Sequence, residues 1–317
     1  MRAPDIDAAA LETLLAAATA APSIHNTQPW RFRLDVATGI LQVRAVPERA
    51  LPRTDPNRCA QHLSVGAALY NLRVAARHQG RQPAVRLLPD PTDRDLLAEV
   101  ALTGHGEEPD PWTRELYDAI GRRHSSRLPF TGRPVPEAIV SEMAEAVRSE
   151  GARLYVPGIT GARRLLRATA IAELRNTREP ARVAESRAWV ARPGAAPYGV
   201  PACALGARDT AGRMPMRDFT GALPFPRVPA LRFERHVQVA LLWTRCDRPE
   251  DWLRAGQALQ HALLVATVHG VRTSMFHQAM EWADLREAVR EPDHGRSHPQ
   301  LLIRFGYGPE GGRTPRA

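Results

Sequence analysis

The chain has 317 residues, 44% apolar and 24% charged, long enough for one large core or two fused ones. It has no apolar run near the roughly 20 residues of a membrane span, and its opening, with Asp5 and Asp7, is unlike a secretory leader. The net charge of +9 is carried by arginine spread along a chain without lysine, which reads as compositional bias and not as a clustered nucleic-acid footprint.

Residues 7–21, rich in Ala and Leu, predict a helix. "QPWRFRL" and "ILQVRAV" alternate as strands on either side of Thr38-Gly39. "AQHLSVGAALYNLRVAARHQG" has helical spacing and stops at Gly80. "AVRLLP" and "LLAEVAL" follow as strands, and a proline-bearing joint over 107–111 leads into a helix over 111–122. A helix over 136–150, a short strand "ARLYVP" and a long helical stretch over 160–190 come next. Residues 190–230 are dense in Pro and Gly and show no period. Such a long loop is either disordered or a lid, and Trp189, Tyr198, Met214, Met216, Phe219 and Phe225 favour the lid. The chain closes with a buried strand "VQVALLW", a helix ending at Gly270, the extended piece "VRTSMFHQ", a helix over 281–290 and the strand "PQLLIRFGYG".

Two segments echo each other. Laid without a gap, Gly66 meets Gly256, Ala68 meets Ala258, Leu69 meets Leu259, Ala76 meets Ala266 and Gly80 meets Gly270. A strand with "LQV" or "VQV" precedes each helix. This order predicts a duplicated half. The copies differ: "PSIHNTQPW" occurs early and "RRHSSR" late, each without a counterpart. A pseudo-dimer would therefore hold both motifs in one composite site and neither in its symmetry mate.

"RRHSSR" gathers guanidinium groups and serine hydroxyls suited to phosphate oxygens. It reads equally well as a solvated basic helix end. In "PSIHNTQPW", proline keeps the backbone out of a helix, so Ser23 and Asn26 can face the polar edge of a planar ring. The same residues could simply form an Asx-type turn. Cys59, Cys203 and Cys246 are scattered, which argues against a disulfide framework or zinc site and suits a reducing cytoplasm. His25, His124 and His277 have no metal-ligand spacing, so no metal is expected. Without lysine there is neither a Schiff base nor a Walker lysine.

Together these residues resemble the nitroreductase-like flavoproteins, whose "RHS-x-[KR]" segment binds the FMN phosphate and whose "PSxxNxQPW" segment meets the flavin ring. "RHSSR" at 123–127 and "PSIHNTQPW" at 22–30 match closely. "GVRTSMFHQ" resembles the stretch lying against the ring near N5, and "GYGPEGGRTPR" the tail that returns a basic residue to the phosphate. The two-half arrangement looks most like the Acg family. The resemblance implies an α+β nitroreductase-like fold with halves 1–110 and 111–317, a lid at about 190–230, and one FMN. It assigns the phosphate to Arg123, Ser125 and Arg127, with Arg313 or Arg316 closing over it. Pro22, Ser23 and Asn26 would face the ring, Gln28 would support the loop, and backbone around Phe276, His277 and Gln278 would address N5. The flavin would carry the redox chemistry, so no catalytic side chain is expected. The implied activity moves electrons from NAD(P)H to nitro or quinone-like acceptors, with flavin sequestration under the lid as the alternative. The expected partners are small molecules, not nucleic acid or membrane, for a cytoplasmic monomer that is its own pseudo-dimer.

Overall fold

Asp7 opens the first element. Its carboxylate accepts the Ala10 N–H at 2.7 Å, satisfying a donor that a helix start leaves open. The run behind it forms α1 (Ala8–Thr19). The structure, a computed structural model, describes residues 7–103, 108–190, 197–220, 228–290 and 297–316. β1 (Trp30–Asp35) and β2 (Ile40–Ala45) form a hairpin with Gly39 at φ 70° in its turn, where glycine avoids a Cβ penalty. α2 (Cys59–His78), β3 (Gln82–Leu87) and β4 (Leu96–Thr103) complete an antiparallel sheet in the order β1-β2-β4-β3.

After α3 (Pro111–Arg122) the plan restarts with α4 (Glu137–Ser149) and β5 (Arg153–Tyr155). An insertion then carries α5 (Ile159–Arg178), α6 (Pro180–Ala188) and a small parallel pair, β6 (Arg208–Asp209) and β7 (Ala230–Leu231). β8 (Gln238–Thr244), α7 (Pro249–Val268), β9 (Arg272–Phe276), α8 (Ala283–Ala288) and β10 (His298–Gly306) follow. The second sheet runs β5-β8-β10-β9, antiparallel throughout. Each half orders its strands first, second, fourth, third, so the fold is α+β with two duplicated halves. The insertion is larger than the aperiodic stretch at 190–230, because α5 and α6 belong to it. Phe225 lies outside the described residues.

The sheets are covered differently, and the sequence explains why. In β3, "QPAVRL" alternates between more and less exposed positions, leaving one face toward solvent. The apolar runs in β8 and β10 are buried on both faces. One face joins the shared core, and the other packs under α5, Met214 and Phe233.

α2 and α7 are small or apolar on most faces and are buried along most of their length. A Cβ added at Gly66 would lie 2.2 Å from the Leu253 carbonyl oxygen, and one added at Gly256 would lie 2.1 Å from that of Leu63. The contacts are reciprocal, as a two-fold interface requires. Tyr70 stacks on His261 at 4.7 Å, and the Gln260 amide donates to Asn71 Oδ1 at 2.7 Å. The residue offset that pairs Gly66 with Gly256 also pairs Tyr70 with Gln260 and Asn71 with His261. No helix of the described residues is long and apolar enough to cross a membrane.

Candidate functional site

A cavity of about 1150 Å³, counting its mouth, opens between the halves. Its first wall is the loop after α1. There Ile24–Asn26 make a tight turn, with His25 at φ 49° and Asn26 at φ 52°; Gln28 follows at φ 46°. Left-handed backbone at a non-glycine residue costs on the order of 1 kcal/mol or more and persists where surrounding contacts enforce it. Here the Ser23 hydroxyl accepts the Gln28 N–H at 2.9 Å, and the Ser64 hydroxyl of α2 accepts the Ile24 N–H at 3.1 Å.

The second wall is residues 123–127, leaving α3. Ser125 bridges to Thr273, and the Ser126 N–H donates to the Thr273 carbonyl at 2.8 Å, laying the segment along β9. Arg123 is 5% exposed. Its Nη2 reaches the Ala20 carbonyl only at 3.4 Å, while Nε and Nη1 have no hydrogen-bond partner. Burial, and then the nearby Arg316, pull its guanidinium down to about 9. Arg316 arrives on the C-terminal tail, donating to Asn26 Oδ1 at 2.6 Å and Thr314 Oγ1 at 2.7 Å, and burial pulls it to about 10. Neither arginine has an ion pair to a carboxylate among the described residues. A buried cation and a half-buried one meeting at the Ala20 carbonyl are a place for an anion.

Arg127 is engaged by the insertion. Its Nε donates to the Leu205 carbonyl at 2.9 Å, its Nη2 donates to the Arg217 carbonyl, and its guanidinium stands 5.1 Å over Phe219. Burial pulls it to about 10. The third wall is the insertion, with Val200, Ala204, Arg217 and Phe219 facing the cavity.

Pro22, Ser23, Asn26, Arg123, Ser125, Arg127, His277, Gln278 and Arg316 share the cavity wall. Gln28, Phe276 and Arg313 are not on it. The Gln28 amide instead donates to the Pro197 carbonyl at 2.6 Å. The Phe276 side chain packs in the core under α5. Arg313 is exposed, so Arg316 is the tail arginine that reaches the cavity. Ser64, Arg217, Phe219, Ser274 and Met275 also line it, and the sequence motifs do not single them out as site residues. "GVRTSMFHQ" contains Ser274 and Met275, and Phe219 is among the aromatics of the aperiodic stretch, whereas Ser64 and Arg217 carry no such signal.

Side chains outside the aperiodic stretch hold it at both ends. Asn26 and Gly199 exchange bonds, with Nδ2 donating to the Gly199 carbonyl at 2.9 Å and the Gly199 N–H to the Asn26 carbonyl at 3.0 Å. Arg49 stacks on Tyr198 at 3.8 Å. At the far end, the Gln278 amide donates to the Pro215 carbonyl at 3.0 Å, and the Asp218 N–H donates to Glu173 at 2.7 Å. Arg217 pairs with Glu281, a fully buried carboxylate that Arg182 also meets at 3.1 Å. Burial alone would raise the Glu281 carboxyl, but Arg217, His277 and Arg182 hold it below the usual range. Glu281→Ala would strand the buried Arg217 guanidinium and leave Arg182 only its more exposed partner Glu179, and should destabilise the chain by about 3–5 kcal/mol in denaturant unfolding. A loss below about 1 kcal/mol would show that water readily replaces the carboxylate.

The symmetry-related face is built differently. Where the cavity has Ala60 and Ser64, the matching positions carry Glu250 and Arg254, which pair at 2.7 Å. Arg73 there pairs with Glu150 and donates to Gln257 at 2.8 Å. These cations already have carboxylate partners, unlike Arg123 and Arg316.

No family model matches the chain. It is 33% identical over 307 residues to "Putative NAD(P)H nitroreductase Rv3131" of Mycobacterium tuberculosis, covering 96% of this chain and 86% of that protein. It is 29% identical over 304 residues to "Putative NAD(P)H nitroreductase acg" of the same organism, covering 94% and 88%. Among solved structures, a nitroreductase with bound FMN from Bacteroides fragilis aligns with 64% of this chain and 93% of its own, at 12% identity and a TM-score of 0.40. At the identity and coverage shared with Rv3131, the chain belongs to the family of these NAD(P)H nitroreductase-like proteins.

Proposed function

We propose that the chain is an FMN-dependent oxidoreductase that moves electrons from NAD(P)H to nitro or quinone-like acceptors. The observation that carries this reading is the buried guanidinium of Arg123, its Nε and Nη1 without partners, beside Arg316 inside the cavity. A buried charge with open donors is costly unless a ligand supplies the acceptors. A phosphate does so, and the relatives' names point to a redox cofactor that carries one.

Arg123, Ser125 and Arg316 would hold the phosphate. Pro22, Ser23 and Asn26 would border the ring, with Met275, Val200 and Phe219 as apolar walls. Arg127, committed to the insertion, belongs to the ring end of the cavity and not to the phosphate end. FMN, when bound, supplies the hydride chemistry. This chain's residues bind it, orient it and exclude water.

The halves would divide near residue 110, with one copy of the chain already supplying both sides of the site. A monomer is then sufficient, and the three free cysteines suit the cytoplasm. The second reading, flavin sequestration, gains support from the aperiodic stretch being held at both ends. Anaerobic addition of NADPH or NADH to the yellow protein separates the two: bleaching marks an oxidoreductase, and persistent colour marks a store. The composite site also predicts one FMN per chain. Flavin released by denaturation and quantified against protein should give a ratio near 1. A ratio near two would mean that the symmetry-related face binds despite its ion pairs.

A further inference from the structure

Two histidines on the cavity wall have buried ring nitrogens without a hydrogen-bond partner. His25 is 7% exposed, yet neither ring nitrogen has a hydrogen-bond partner. It sits in the strained turn at φ 49°, its ring edge-on to Phe219 at 4.9 Å. His277 follows β9, and its Nε2 is also buried without a partner. Its Nδ1 stands 3.5 Å from the buried Glu281 carboxylate. Both rings line the same cavity. Buried polar groups left open at a cavity wall are groups that a ligand satisfies.

We propose that His25 and His277 form an oxygen-recognition subsite at the lid end of the cavity, and that its ligand is a phenolate or a quinone oxygen. The inference rests on the cofactor reading above and names the acceptor class. Charge decides the ligand's sign. Arg127 and Arg217 line the same wall as the two histidines, and no carboxylate lines it among the described residues; Glu281 stands behind His277, paired with Arg217 and Arg182. Glu173 is not on that wall; its carboxylate accepts the Asp218 N–H at 2.7 Å. The wall itself carries arginines without carboxylates, so an anionic oxygen is favoured there over a cationic group. Shape decides the rest. Phe219, Val200 and Met275 offer apolar surface for an aromatic ring, and the imidazoles offer N–H groups to its oxygen. Reduction of a quinone consumes one hydride, supplied from NAD(P)H through the cofactor, and one proton from water, giving the hydroquinone. Before that proton arrives the charge sits on oxygen, where these donors stabilise it.

The test titrates 4-hydroxybenzaldehyde into the FMN-loaded protein and follows the long-wavelength absorption of a phenolate stacked on oxidised flavin. His277→Phe and His25→Phe should each weaken the probe about ten- to hundredfold. His277→Asn and His25→Asn, which keep an N–H, should recover part of that loss. FMN affinity should stay within about threefold in all four variants. Probe binding unchanged by the Phe variants overturns the subsite. So does loss of FMN in place of the probe, which would assign the histidines to the cofactor. If the wild-type chain binds no FMN, the cofactor reading fails by itself. Calorimetric titration of the probe into the cofactor-free chain, with the same variants, then judges the histidines.

Discussion

Gly66→Ala is expected to destabilise the protein by about 3 kcal/mol or more, and Gly256→Ala by a similar amount. The new methyl group would lie 2.2 Å from the Leu253 oxygen in one case and 2.1 Å from the Leu63 oxygen in the other. Both obstacles are helix backbone, so no side chain can turn aside. The helices must move apart, and every contact along the buried pair is loosened. The cavity is built from both halves, so flavin occupancy should fall with stability. Gly121→Ala is the control of opposite sign. It lies in α3 with nothing within 4 Å of its Cβ position, so alanine should be neutral or stabilise by up to about 1 kcal/mol. Urea unfolding of the three variants measures the contrast. Equal effects at Gly66 and Gly121 would show that the helix pair has room to spare.

Those two glycines are legible in the amino-acid sequence itself. Close helix approach selects for small residues, and duplication repeats the selection at the same offset, so the echo survives along the chain. α3 and Arg123 are legible for a local reason, since Pro111 starts the helix and the basic run marks its end. β8 and β10 announce their two-sided burial as unbroken apolar runs. What stays hidden is what tertiary contact decides. Arg127 sits four residues from Arg123 in one motif, yet its guanidinium donates to carbonyls of the insertion while that of Arg123 stays largely open. Arg313 and Arg316 are indistinguishable in a glycine-rich tail, and only the reach to Asn26 separates them. The aperiodic stretch reads as loosely held because it offers few regular hydrogen bonds of its own. In the fold, Asn26, Arg49, Glu173, Gln278 and Glu281 fasten it from outside. Such bonds have no sequence period to reveal them.

Arg123→Met should move stability and affinity in opposite directions. In the cofactor-free chain the guanidinium is buried beside Arg316, with two of its nitrogens unsatisfied. An apolar side chain of similar length removes that penalty, so the cofactor-free protein should gain about 1–3 kcal/mol. The FMN complex should lose a charge-assisted contact to phosphate, about 1.5–3 kcal/mol, or roughly ten- to a hundredfold in affinity. Riboflavin, which lacks the phosphate, should bind the variant within about threefold of the parent. Arg123→Lys keeps the charge but not the fork of donors, so it should fall between the two for FMN. Fluorescence quenching gives both affinities, and denaturant unfolding of the cofactor-free forms gives the stability. Equal losses for FMN and riboflavin would mean that Arg123 shapes the cavity and does not contact phosphate. A variant less stable than its parent would mean that the Ala20 carbonyl, at 3.4 Å, is a stronger partner than its distance indicates.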